Sequence, residues 1–146
     1  MTYHELARDS LAAFCVVQGM ATIALDLNRT HASHPQWLGH ARFHVVWQTA
    51  TVAALSVLEV VVLLAGEPYE ARRFFLVLAL AGAPVSGFFA ALFTRSIYGG
   101  TLSDPGGIPP LKVKVGARIL RIDMNVVAEI LAVVVLTALF FMYRAD

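Results

Sequence analysis

FFLVLALAGAPVSGFFAALFT, Phe74 to Thr94, is a run of 21 residues without a charge, opened by Arg72-Arg73 and closed by Arg95. A helix of that length is roughly 30 Å long, the thickness of a bilayer's hydrocarbon core. Pro84 is tolerable inside such a span, because neighbouring helices can satisfy the carbonyl it leaves without a donor. Gly82, Ser86 and Ala90 fall four apart, a spacing that lets helices approach closely.

Three more spans follow on either side of it. Between Asp9 and Asp26 lie 16 residues without a charge, predicting a span over about 6–27. Glu5 and Asp9, with a long apolar stretch behind them, mark it as a retained span rather than a cleavable signal. The second is expected over 41–65, uncharged from Phe43 to Leu58 and stopped by Gly66-Glu67-Pro68. The third occupies 73–94. Turn signals from Tyr98-Gly99-Gly100 to Asp104-Pro105-Gly106-Gly107 then impose a long loop over 95–116, in which the alternating Leu111-Lys112-Val113-Lys114-Val115 admits a short strand. A fourth span is expected over 117–143, although its first half carries Arg118, Arg121, Asp123, Asn125 and Glu129.

Composition agrees with this layout. The 146 residues are 58% hydrophobic and 14% charged, against about 25% charged in soluble domains, which argues against a water-soluble fold. A formal net charge of +1 gives no field to draw nucleic acid. The lone Cys15 can form no internal disulfide and reads as an inert buried thiol. The expectation is one all-α domain, an integral membrane four-helix bundle running up-down-up-down. Cations number seven beside the first and third loops (Arg29, Arg42, Arg95, Lys112, Lys114, Arg118, Arg121) and four at the other end (Arg8, Arg72, Arg73, Arg144), which places those two loops in the cytoplasm.

That topology gathers the unusual polar residues at one membrane face. At about 100° per residue, Gln18, Thr22 and Asp26 form a stripe on span one. His40, His44, Trp47, Gln48 and Thr51 share a face of span two, and Arg118, Arg121, Asn125 and Glu129 fall together on span four. Facing inward, they would line one polar cavity. Glu129, counted from Ala117, would lie about 18 Å along its helix, near the bilayer midplane. Glu59 belongs to the opposite end, where it would snorkel or pair with Arg72 or Arg73.

Two chemistries suit this set. In one, Glu129 and His44 exchange a proton with a lipophilic substrate, Asp26 assisting and Asn125 and Gln48 orienting its polar group. In the other, His31, His40 and His44, with a carboxylate, hold one divalent metal, zinc or iron, since histidines four apart place both rings on one helical face. The bland readings are interface anchoring by His, Trp and Arg, and Glu129 as hydrogen-bonding glue. Beyond enzymes, the pattern also admits a small proton or cation transporter, or a non-catalytic lipid-binding or accessory subunit. The partner is a membrane lipid or another lipophile, with homo-oligomerisation a further option.

The stretch Asn28-x-Thr30-His31, Pro35-x-Trp37 and His40-Ala41-Arg42-Phe43-His44 resembles small four-span membrane proteins without an assigned activity. The four-span layout, with Asp26 closing span one and a Gly/Pro-rich third loop, is also similar in outline to the emopamil-binding, sterol-isomerase-like superfamily. That second resemblance implies a lipophilic ligand and proton transfer by intramembrane carboxylates and a histidine, onto which His44, Asp26 and Glu129 would map.

Overall fold

The computed structural model describes residues 2–65 and 70–145; Gly66-Glu67-Pro68, expected to stop the second span, lies outside the described residues. Four helices carry the fold: α1 (Tyr3–Asp26), α2 (Gly39–Leu63), α3 (Glu70–Tyr98) and α4 (Met124–Tyr143). Each is long and apolar enough to cross a membrane, so the chain has the helices of a multi-pass membrane protein. Two short strands, β1 (Leu111–Val115) and β2 (Arg118–Ile122), pair antiparallel between α3 and α4.

Local chemistry sets the helix ends. Thr2 caps α1, its hydroxyl accepting from the Glu5 N–H while the Glu5 carboxylate accepts from the Thr2 N–H, a reciprocal box that satisfies two amides. Asp123 caps α4, accepting from the amides of Asn125 and Val126. The fourth span therefore begins at Met124, seven residues later than the composition suggested. What precedes it is a hairpin: Leu111-Lys112-Val113-Lys114-Val115 alternates as a strand does, Gly116 takes the turn at φ 60°, and Arg118–Ile122 pairs back onto it. In the other direction α3 continues to Tyr98, past the expected limit of 94.

The helices pack as neighbours α1 on α2, α2 on α3, α3 on α4 and α4 on α1. At the end near the chain termini the core is dense: Ala7, Leu11 and Cys15 meet Leu63, Phe74, Val77, Ala81, Leu139 and Tyr143. Tyr143 stacks on both His4 (centroids 4.4 Å) and Phe74 (3.9 Å). The helical glycine with least room is not in the Gly82, Ser86, Ala90 row, whose last two members are exposed. It is Gly19, where an added Cβ would stand 2.8 Å from the Ser56 hydroxyl of α2. Gln18 Nε2 donates to the Ala81 carbonyl of α3 (3.1 Å), one residue past the carbonyl that Pro84 leaves without its helical donor.

The inward face of α2 is Thr49, Val52, Ser56, Glu59 and Leu63. Glu59 neither snorkels nor reaches the surface: it is 0% exposed, beside the Cys15 thiol, and no N–H or O–H donor reaches either of its oxygens. Packing fades toward the opposite end of the bundle. Past Val85, α3 buries no residue, and α4 buries none before Leu139.

An unpartnered buried polar group costs about 1–3 kcal/mol. Glu59→Met should therefore raise the thermal midpoint of the detergent-solubilised protein, by about 3 °C or more. Gly19→Ala should lower it by a similar amount, and Ser56→Gly should restore the Gly19→Ala variant. A Glu59→Met protein that melts earlier would mean the carboxyl has a stabilising partner.

Candidate functional site

Where α3 and α4 pack least, two loops take over. Residues 27–38 and 99–110 carry no regular element, and loops of this length in a compact domain are commonly functional. They are pinned to each other by side chains. Asp104-Pro105-Gly106-Gly107 closes a tight turn through Gly107 N–H to Asp104 C=O (2.9 Å), with proline second and Gly106 third at φ 87°, the residue pattern of a type II turn. Against it lies His34, 1% exposed. Its Nδ1 accepts from the Gln36 N–H (3.2 Å), so the ring proton sits on Nε2, which donates to the Pro105 carbonyl (2.9 Å). Trp37 Nε1–H donates to Asp104 Oδ2 (3.2 Å) and the Thr101 hydroxyl to Oδ1 (3.0 Å).

Between these loops and the first turn of α4 is a pocket of about 140 Å³, lined among others by Thr30, His31, Trp37, Ser103, Asp104 and Asn125. His31 is oriented by a relay that starts at the end of α1. The Asn28 amide donates to the carbonyls of Ala24 (2.9 Å) and Leu25 (2.8 Å), two of the groups a helix C-terminus leaves unsatisfied. Its oxygen is thereby turned to the Thr30 backbone N–H (2.7 Å) and hydroxyl (2.6 Å). That spends the only proton on the Thr30 oxygen, which must accept from His31 Nδ1–H at 2.8 Å. In the neutral ring the lone pair then belongs to Nε2, in a side chain that lines the pocket and meets Trp37 edge-on (centroids 5.7 Å).

The expected site residues divide into several groups. Asn125 does line the pocket, and Glu129, half-buried, follows it one helical turn deeper. Counted from Met124, Glu129 is only about 8 Å into its helix, shallower than the expected midplane position. Arg118 and Arg121 do not share its face, because they belong to β2. Gln18 and Thr22 contribute helix bonding instead of a cavity wall, the Thr22 hydroxyl donating to the Gln18 carbonyl (2.9 Å). Asp26 Oδ2 stands 3.3 Å from the buried Thr49 hydroxyl, a contact between α1 and α2.

On α2 the expected polar face looks outward: His40, His44, Trp47 and Gln48 are all exposed. Thr49 and Ser56 take the face against α1, and the imidazoles and the indole lie on the exposed side of the helix. His40 and His44 do meet, Nε2 to Nε2 at 3.1 Å, while His31 bonds Thr30 through Nδ1. Among the described residues no group of three or more His, Cys, Asp or Glu side chains stands together as a metal would need. A closed or catalytic zinc site takes at least three protein ligands, so the expected His31, His40, His44 set does not form within one chain.

Trp37, Asp104, Thr101 and the Asn28–Thr30 pair are the site residues that charge and helical spacing passed over. A larger groove of about 300 Å³ between α1 and α2, lined by residues such as Val16, Met20, Ala53 and Val57, is apolar, and its one hydroxyl, on Ser56, is bonded to the Val52 carbonyl. Compared with known proteins, the chain matches no protein-family model, no curated protein and no solved structure. The site is therefore read from its own chemistry.

The relay makes a spectroscopic prediction. Histidine ¹⁵N spectra should show His34 as the Nε2–H tautomer and His31 as the Nδ1–H tautomer, opposite assignments three residues apart. Thr30→Val should abolish the His31 preference and leave His34 unchanged. The same tautomer for both rings in the wild-type protein would refute the relay.

Proposed function

We propose that the chain is a membrane-embedded enzyme that binds the polar head of a lipophilic molecule in the loop-end pocket and transfers a proton on it through His31 Nε2. The observation that carries this reading is the Asn28–Thr30–His31 relay, which holds one nitrogen and leaves the other as an acceptor on a side chain that lines a pocket. A base positioned in this way can contribute about 10²–10⁴-fold to a proton transfer.

Size supports a head-only mode of binding. Pockets that enclose a drug-sized ligand run to about 300–1,000 Å³, so the roughly 140 Å³ here takes a hydroxyl, carbonyl or similar group and leaves the remainder in the bilayer. Past Val85 α3 buries no residue and α4 buries none before Leu139, and α3 presents Phe93 and Ile97 outward, which suits lateral arrival of an apolar body. Asn125 would orient the polar head and Glu129, one turn deeper, would be the second proton-carrying group. His31 thus replaces His44 in the role the sequence suggested. The reading also puts the loop end in the cytoplasm, since Arg118 and Arg121 stay in the count of exposed cations there.

Deuterium exchange tests the reaction whatever the substrate is. Membranes holding the wild-type protein, equilibrated in D₂O, should yield a lipid-soluble species with carbon-bound deuterium detectable by mass spectrometry. His31→Gln should slow that uptake by about 10²-fold or more, with Trp37→Phe intermediate. A lipophile that co-purifies with the wild type and is lost from His31→Gln, without any isotope uptake, would replace the enzyme with a binding protein. No such species in either experiment would overturn the reading.

A further inference from the structure

The hairpin ahead of α4 sorts its side chains by chemistry. In the register Leu111↔Ile122, Lys112↔Arg121, Val113↔Leu120, Lys114↔Ile119 and Val115↔Arg118, directly opposed residues share a face and neighbours alternate. One face therefore carries Leu111, Val113, Val115, Leu120 and Ile122, with Arg118 at the turn. The other carries Lys112, Lys114 and Arg121 with Ile119.

Three features make this arrangement unstable in water alone. Lys112 stands directly across from Arg121, and like charges so placed repel. Among the described residues none of these three cations pairs with a carboxylate. On the reverse face Leu111, Leu120 and Val115 are 52%, 48% and 55% exposed, Val113 and Ile122 are half-buried, and no helix packs extensively against the ribbon. A lone two-stranded hairpin is at best marginally stable in water. Its C-terminal strand runs directly into Asp123, the cap of α4, so the ribbon is tied to the point where a span leaves the bilayer.

We infer that the 111–122 hairpin is a membrane-surface device that docks on anionic lipid, its apolar face sunk into the headgroup boundary and Lys112, Lys114 and Arg121 held at the level of the phosphates. An amphipathic element immersed by about 5–10 Å satisfies both faces at once. The lipid phosphates supply the negative charge that the chain does not place beside its cations. Each basic residue near an anionic surface multiplies binding by about five, so three together supply about two orders of magnitude.

The full-length protein in nanodiscs tests this, with phosphatidylcholine alone or with added phosphatidylglycerol. Backbone amides of 111–122 should exchange with D₂O more slowly when phosphatidylglycerol is present, by up to about 100-fold. Lys112→Gln, Lys114→Gln and Arg121→Gln together should remove the difference while leaving the protection of α1 to α4 unchanged. In a Cys15→Ala background, a nitroxide on Leu120→Cys should be more accessible to oxygen than to a water-soluble nickel chelate, and one on Lys114→Cys the reverse. Equal protection in both lipids, protection that survives the triple substitution, or a water-exposed label at Leu120→Cys would each overturn the inference.

Discussion

Inside hydrocarbon no water is available to a polar group, and this constraint shapes every element of the protein. It explains why the spans are helices, and also what happens to their hydroxyls. Thr22, Thr49, Thr51, Ser56, Ser86 and Thr94 all donate to the carbonyl four residues earlier on their own helix. Each residue therefore enters the membrane with its polar atom already satisfied and needs no cavity. Gln18 is settled differently, across to α3 at the turn that Pro84 weakens. Glu59 is a side chain that the rule leaves unserved, buried against Cys15 with no N–H or O–H donor.

The four spans were legible because uncharged length is a direct reading of bilayer thickness. Their ends were less so, and the fourth shows why. Charge and helical angle placed Arg118, Arg121, Asn125 and Glu129 on one stripe, but a wheel drawn through a strand has no meaning. The local signals were present in the alternation of Leu111 to Val115, in Gly116 and in Asp123 as a cap two residues before Asn125. Moving the helix start from Ala117 to Met124 also moved Glu129 from the midplane toward the loops.

The polar face of α2 failed for another reason. Assigning polar residues to the interior assumes that the interior is where a polar residue is better off, yet a helix interface in a membrane selects for small side chains. Thr49 and Ser56 meet that requirement where α2 lies against α1, and His44, Trp47 and Gln48 are left on its exposed side. The pocket itself depends on Trp37 and Asp104, 67 residues apart, and on His34 against Pro105, 71 apart. Single-sequence spacing carries no information about contacts of that range; what it does carry is the turn chemistry of Asp104-Pro105-Gly106-Gly107 and the Asn28-x-Thr30-His31 series.

That series also explains why the site is at the loops and not deeper in the bundle. A helix C-terminus leaves carbonyls without donors, and Asn28 answers two of them with one amide. Having done so, its oxygen can point only one way, and the order passes through Thr30 to His31 by neutral groups alone. A carboxylate doing the same work would need a counter-ion close to hydrocarbon, at the cost that charge incurs there. The end of a transmembrane helix therefore both closes its own hydrogen bonds and aims an imidazole at the pocket. The ring and the helix end are thus joined through Asn28, and a change at Asn28 should disturb both together.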